Sequence, residues 1–429
     1  MHKQSMGLLL LLASFAFPCQ SSDELSLAIM HGNKQQRDNF AAVLRNFHAQ
    51  SGISVQLRAY TDGDYKARFP GWLTGEHSPD LLYWQGGERL ISYVKAGALQ
   101  PLGKLWRDQN WTASFGQPMQ NAVSWQGQPY ALPYSYYHWG IFYSRSALQR
   151  AGVSPPTDWP QLLQSCRQLR RHGITPLVLG TKEHWPALAW FDYLNLRLHG
   201  LEFHQQLTQG QIDYRDPRVK EVFSHWRQLI QARCFNDNVS TLDWNDGISY
   251  LSYGKGAMTL MGSFAIPAQR SEDIRTMPFP TLKSTMPRYE DAPLDLFVLP
   301  ARPNPRLNEV RQLLVYLGRS EVQLLLNRNL GTFTPHRDGS QELSPLQKAS
   351  KDVLSGAAGV TQYFDREVPP AFDRAATPVI ARFADQPDIE ATVDRLEALR
   401  QQHYPSEPTS HTVNGHGPGV PEPSEPSGQ

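Results

Sequence analysis

The stretch SPDLLYWQGGERLISYVKAGALQPLGKLW, residues 78–106, is where the fold of this chain is read. Leu81, Leu82 and Tyr83 form a buried strand that ends on an aromatic, Trp84. A Gln-Gly-Gly turn follows, and then a helix with apolar residues at Leu90, Ile91, Val94 and Leu99. A strand that opens through glycines onto a helix N-terminus is where open α/β sheets place ligands. A large aromatic at that rim suits stacking on a ligand, so Trp84 is predicted to line a binding site.

Working outward, LSLAIM (25–30) reads as a strand and residues 38–50 as a helix carrying Phe40, Val43, Leu44 and Phe47. ISVQLRAY (53–60) alternates as a second strand, so the pattern is that of a parallel sheet with helices on its faces. A tyrosine-rich crossing, YALPYSYYHWGIFYSRSAL (130–148), then leads into a second α/β pattern. That pattern has a helix at 159–172, a strand at 174–180, helices near 186–199 and 216–234, and a buried strand at 255–264. A returning strand at 295–303 precedes helices at 308–318 and 320–329, and the last helical piece spans 378–404. The tail, 405–429, holds almost no apolar residues and much Pro, Gly and Ser, and is expected to be disordered.

A chain of 429 residues exceeds one compact core, which argues for two lobes. The formal net charge of +1 gives nothing that would steer the protein to nucleic acid or an anionic membrane. Residues 1–22 have the build of an export signal: Lys3, a short apolar run to Phe17, then Pro18 and the small-polar CQSS. Cys19 invites a lipoprotein reading, but Pro18 is a poor residue before a lipidated cysteine. The expected mature protein is therefore periplasmic and unanchored. Of its two cysteines, Cys166 lies on an apolar helix face with Leu162, Leu163 and Leu169. Although an oxidising compartment permits a bond to Cys234, the two read as separately buried thiols.

HExxH, G-x-S-x-G, Walker A and G-x-G-x-x-G are all missing from the sequence, so no catalytic residue, cofactor or metal is implied. A carboxylate pair for glycoside cleavage stays open as an alternative.

Four segments together resemble the family 1 extracellular solute-binding proteins, the maltose-binding-protein-like sugar receptors of ABC importers. They are the 78–106 unit, the 127–148 crossing, YGKGAMTLMGSF (253–264), and FVLP followed by EVRQLLVYLGRSEVQLLLNRNLGTFTPHR (309–337). The resemblance implies a two-lobed α/β periplasmic binding protein fold, type II-like, with a ligand cleft between the lobes. Carried onto this chain, lobe one is 23–136 plus 282–334, and lobe two is 137–281 plus 335–404. It also implies aromatics stacking on sugar rings and polar side chains binding hydroxyls.

On that resemblance Trp84, Tyr136, Tyr137, His138, Ser263 and Phe264 fall at matching positions, and His31 follows the first strand. TKEHWPALAWFDYLN (181–195) adds Trp185 and Asp192, with Trp190 read as core. Trp244 and Asp246 sit in an expected loop, as ligand contacts or as a helix cap. Asp295 lies on the returning strand. Gly140 and the crossing strands are expected to absorb a hinge motion. The implied protein is a monomeric receptor that delivers a mono- or oligosaccharide to an ABC importer permease. A sugar-sensing subunit for a membrane kinase or chemoreceptor, and a secreted carbohydrate-active enzyme, are the alternatives.

Overall fold

The computed structural model describes residues 24–30, 33–75, 78–266, 272–339 and 342–404. The expected export signal, His31 and the 405–429 tail lie outside the described residues.

Two sheets organise the chain. In the first, the strand order is Val55–Tyr60, Leu25–Met30, Leu81–Gln85, Leu294–Val298, Ala131–Tyr136. The first three strands run parallel, as the β–α alternation requires, and Leu294–Val298 returns antiparallel between its neighbours. The second sheet runs Ile274–Met277, Trp139–Ser144, Gly256–Gly262, Thr175–Leu177. Each sheet has its own apolar core. One draws on residues 25–134 and 294–326, the other on 137–279 and 346–399.

The chain passes between the cores at the tyrosine-rich crossing. Strands Ala131–Tyr136 and Trp139–Ser144 are nearly continuous but belong to different sheets. A second crossing pairs with the first: the Tyr136 amide donates to the Phe333 carbonyl at 3.0 Å, and the Phe333 amide to the Tyr136 carbonyl at 2.8 Å. Gly140 is no loose hinge. It pairs with Met261 inside the second sheet, and a Cβ there would lie 2.3 Å from the His138 ring. Close approach explains the glycine.

Other elements depart from the sequence reading. Helix Asp62–Thr74, capped by the Thr61 side chain on the Asp64 amide, covers the first sheet where no helix was expected. Pro70 inside it, and glycines at 63 and 71, mask its periodicity. The expected loop around Trp244 is the first turn of helix Trp244–Ser252. The last helical piece is two helices, Pro370–Arg382 and Ile389–His403. Among the described residues no helix is long and apolar enough to cross a membrane.

Cys166 and Cys234 are bonded, which corrects the reading of two separate thiols. The cause is tertiary. The Leu177 amide bonds to the Cys234 carbonyl, drawing that turn against helix Trp159–Arg171 and bringing the two Cα atoms within 5.1 Å. Closing a loop across 68 residues removes much freedom from the unfolded chain. The Cys166→Ser/Cys234→Ser double variant is expected to lose about 2–4 kcal/mol in denaturant unfolding. Reductant should lower the wild type alone, and a wild type unmoved by reductant would contradict the bond.

Candidate functional site: the cleft between the two sheets

A cleft of about 280 Å³ opens between the sheets. Its second-lobe wall is aromatic. Trp139 stacks on Tyr363 with centroids 4.3 Å apart and planes 9° from parallel, and Trp185 stands edge-on to Trp139 at 5.9 Å. Trp244 packs 5.6 Å from Trp185, and Phe264 closes the group at 5.0 Å from Tyr137. The Glu183 carboxylate accepts from both indoles, Trp185 Nε1 at 3.1 Å and Trp244 Nε1 at 3.2 Å. Two flat faces are thus fixed in orientation, with a charged acceptor beside them.

The first-lobe wall is polar. Asn327 donates to the Tyr134 and Gln323 carbonyls, both at 2.9 Å, while its Oδ1 accepts from Ser135 at 2.8 Å and Thr332 at 2.7 Å. Asp295 accepts from the Tyr83 hydroxyl at 2.9 Å. A bulge between Asp295 and Leu296 pairs Asp295 with Ser135 and Leu296 with Pro133. Tyr134 is thereby the extra residue, and both Tyr134 and Ser135 reach the cleft.

The two walls are joined at one end by buried charges. Arg366, on the second-lobe turn Phe364–Glu367, donates to Asp295 Oδ1 at 3.1 Å, to the Leu294 carbonyl at 2.9 Å, and to the Tyr137 hydroxyl at 2.5 Å. Arg89, on the first-lobe helix Glu88–Lys95, reaches the other way, to Asp365 at 2.9 Å and Asp373 at 2.7 Å. Burial pushes the Asp365 carboxyl up, but Arg89, Lys66 and Arg366 together hold it below the usual carboxylate range. Burial raises Asp295 despite Arg366 and the Tyr83 hydrogen bond. Gly86 and Gly87 make this contact possible: Gly87 has φ +77°, and a Cβ on it would lie 2.4 Å from the Arg366 carbonyl oxygen. The glycine turn serves the second lobe's backbone, not a ligand helix site.

Of the residues expected at the site, Tyr137, Trp185, Trp244, Phe264 and Asp295 line the cleft. Trp84 does not. It is 4% exposed, stacked on Phe69 at 3.4 Å, with its Nε1 donating to the Arg89 carbonyl. The sequence reading was one residue out of phase: side chains alternate along a strand, and Tyr83 and Gln85 line the cleft while Trp84 faces helix Asp62–Thr74. Tyr136 likewise faces away from the cleft, against Phe333. His138 is fully buried, and burial, with Arg288 and Arg197 nearby, lowers its pKa to about 3. Asp192 is buried behind Tyr363, accepting from the Phe364 amide at 2.8 Å. Asp246 is exposed outside the cleft lining, and Asp243 is the cap of that helix. Ser263 ties the crossings together by donating to the Gly331 carbonyl.

Sequence reasoning missed Trp139, Glu183, Tyr363 and the 362–367 turn with Asp365 and Arg366. Trp139 and Glu183 lay inside quoted segments, one residue from His138 and two from Trp185. Nothing local marks Arg366, whose partners are 71 and 229 positions away. Among the described residues no group of three or more His, Cys, Asp or Glu could hold a metal ion.

The profile of the family described as bacterial extracellular solute-binding protein matches residues 33–324. An uncharacterised ABC transporter extracellular-binding protein of Pyrococcus horikoshii is 23% identical over 389 residues, 86% of each chain. A probable sugar-binding periplasmic protein of Rhizobium meliloti is 26% identical over 201 residues, 45% of this chain and 46% of that one. Among solved structures, the bacterial solute receptor AcbH, described as having an exclusive preference for β-D-galactopyranose, superposes with a TM-score of 0.83. It is 24% identical, over 88% of this chain and 98% of that one. The solute-binding protein RafE in complex with raffinose gives 0.73 at 16% identity, over 89% and 99%. These likenesses establish the two-lobed α/β architecture.

Two outcomes follow from these placements. Trp84→Ala is expected to cost about 3–5 kcal/mol of stability through the cavity left against Phe69, measured by denaturant unfolding. A stability loss under 1 kcal/mol would put Trp84 outside the core. Burial holds His138 neutral, so the unfolded chain takes up its proton near pH 6.5 and the folded chain only near pH 3. The histidine's contribution is therefore present above pH 6.5 and lost as pH falls toward 3. His138→Leu should flatten the fall in stability between pH 6 and 4 by up to about 1.4 kcal/mol per pH unit, and an unchanged slope would contradict its burial as a neutral ring.

Proposed function

The chain belongs to the bacterial extracellular solute-binding protein family, and from that premise we propose that it captures a short, neutral carbohydrate and presents it to an ABC importer. The observation that carries this reading is the division of the cleft. One lobe supplies oriented indoles and the other a wall of hydroxyl, amide and carboxylate groups. A pyranose has the matching surfaces. Its C–H faces lose water favourably against aromatics, and each buried O–H requires a polar partner.

Charge and size support the narrower class. The cleft carries Asp62, Glu183, Asp295 and Asp365 against Lys66 and Arg366, and this excess of carboxylate disfavours uronic acids and sugar phosphates. A volume of about 280 Å³ sits at the small end of ligand clefts, which run from roughly 300 Å³ upward, and suits one or two rings. The family and its structural neighbours are binding receptors, so the proposed cycle makes and breaks no covalent bond. A ligand touching both walls favours the closed arrangement by its differential affinity, and closure is the signal an importer reads. Export through residues 1–22 to the periplasm belongs to the same proposal.

A thermal-shift screen with neutral mono- and disaccharides, uronic acids and sugar phosphates tests this directly. A ligand that binds only the folded state raises the melting temperature, and neutral sugars alone are expected to do so. For the best sugar, Trp185→Ala should weaken binding by about 1–3 kcal/mol in calorimetry without lowering the melting temperature comparably. A preference for acidic sugars, or sugar consumed on prolonged incubation with the wild type, would overturn the reading.

A further inference from the structure

At the hinge, alternation along the crossing strands separates two faces. Ser135, Tyr137 and Thr332 look into the cleft, whereas Tyr136 and Phe333 look the opposite way and floor a second cavity of about 320 Å³. The walls of that cavity come from both sides of the crossing. Phe115 belongs to the first core, while Lys351 rides on helix Pro345–Ser355, whose Leu346 belongs to the second. The floor is aromatic, with the Tyr136 and Phe333 rings 5.3 Å apart and tilted 40° to each other, and Phe115 edge-on to His336 at 5.2 Å. Pro335 also lines the cavity. At the rim stand Arg337 and Lys351, both exposed. Among the described residues neither has a carboxylate within ion-pair distance, and no acidic side chain lines the cavity. Asp338 and Glu321 act on His336 from outside the lining, and the lining itself carries cations and no carboxylate, the reverse of the cleft's excess of acid.

We infer that this reverse-face cavity is a second binding site, for a small aromatic carboxylate, and that it is coupled to the cleft through the Tyr136–Phe333 pair. The aromatic floor takes the ring of such a ligand by stacking. Arg337 and Lys351 take its carboxylate, and the guanidinium offers a two-pronged hydrogen bond. Arg337 is tied to the first lobe, its amide donating to the Ser114 carbonyl at 2.8 Å, and Lys351 moves with the second. A carboxylate held by both draws the lobes together behind the hinge. Because the cleft lies on the other face of the same strands, that pull opens the cleft and lowers its affinity for sugar. Linkage requires the converse as well, so a sugar in the cleft weakens the carboxylate. The coupling rests on the carbohydrate reading of the cleft; the second site itself does not.

Calorimetric titration of the full chain with benzoate tests the site. Saturable binding is expected, weakened at least tenfold in the Arg337→Gln/Lys351→Gln double variant and unchanged in Trp185→Ala, which alters only the cleft. Benzamide, without the charge, and inorganic phosphate, without the ring, should each bind at least tenfold more weakly. The site is overturned by absence of saturable binding, by loss in Trp185→Ala instead of the double variant, or by phosphate binding as tightly as benzoate. Repeating a sugar titration at saturating benzoate reads the coupling. A severalfold loss of sugar affinity is expected, and an unchanged or higher affinity overturns the coupling while leaving the site standing.

Discussion

Two arginines passing in opposite directions between the lobes fix the geometry on which the cleft depends. Arg366 reaches from the second lobe to Asp295 and Tyr137, and Arg89 from the first to Asp365 and Asp373. All of these groups are largely removed from water, where an unpaired charge is costly and removing one partner from a buried pair costs about 3–5 kcal/mol. The strong consequence is positional, since such pairs tolerate little displacement. They hold the 362–367 turn against Gly86 and Gly87, and that turn carries Tyr363, the floor on which Trp139 stacks. Loosening the ion pairs would move an aromatic wall relative to a polar one.

From this pivot the rest of the site follows. The second sheet delivers Trp139 from a strand end, and the segment after Thr175–Leu177 delivers Glu183 and Trp185. The helix after Asp243 delivers Trp244. Each element brings one aromatic, and the Glu183 carboxylate couples two of them by hydrogen bonds. The first lobe contributes strand-end and loop groups whose hydrogen bonds are mostly already satisfied, an arrangement that limits the reorganisation needed when a hydroxyl-rich molecule enters.

Much of this was legible in the sequence. Strand and helix alternation around residues 25–106 gave the parallel sheet, because buried strands and amphipathic helices each leave a periodic trace. The family resemblance placed the cleft between lobes; of the residues at family-matching positions Tyr137 and Phe264 line it, and so do Trp185, Trp244 and Asp295, chosen from their local sequence. The failures are physical. A strand's end reveals where a site is but not which of two adjacent residues faces it, so Trp84 stood in for Tyr83 and Gln85. Helix Asp62–Thr74, which covers Trp84, hides its period behind Pro70 and two glycines. The Cys166–Cys234 bond and the contacts of Arg366 join residues far apart in sequence, and only the assembled fold brings them together.

The account rests on the two lobes closing over a bound sugar about a pivot held by the buried arginines. Small-angle X-ray scattering of the full chain, with and without a saturating sugar found by screening, measures that closure directly. A smaller radius of gyration with the binding sugar, and no change with a non-binding one, is the result the account requires. Saturated sugar binding with an unchanged scattering curve would contradict it.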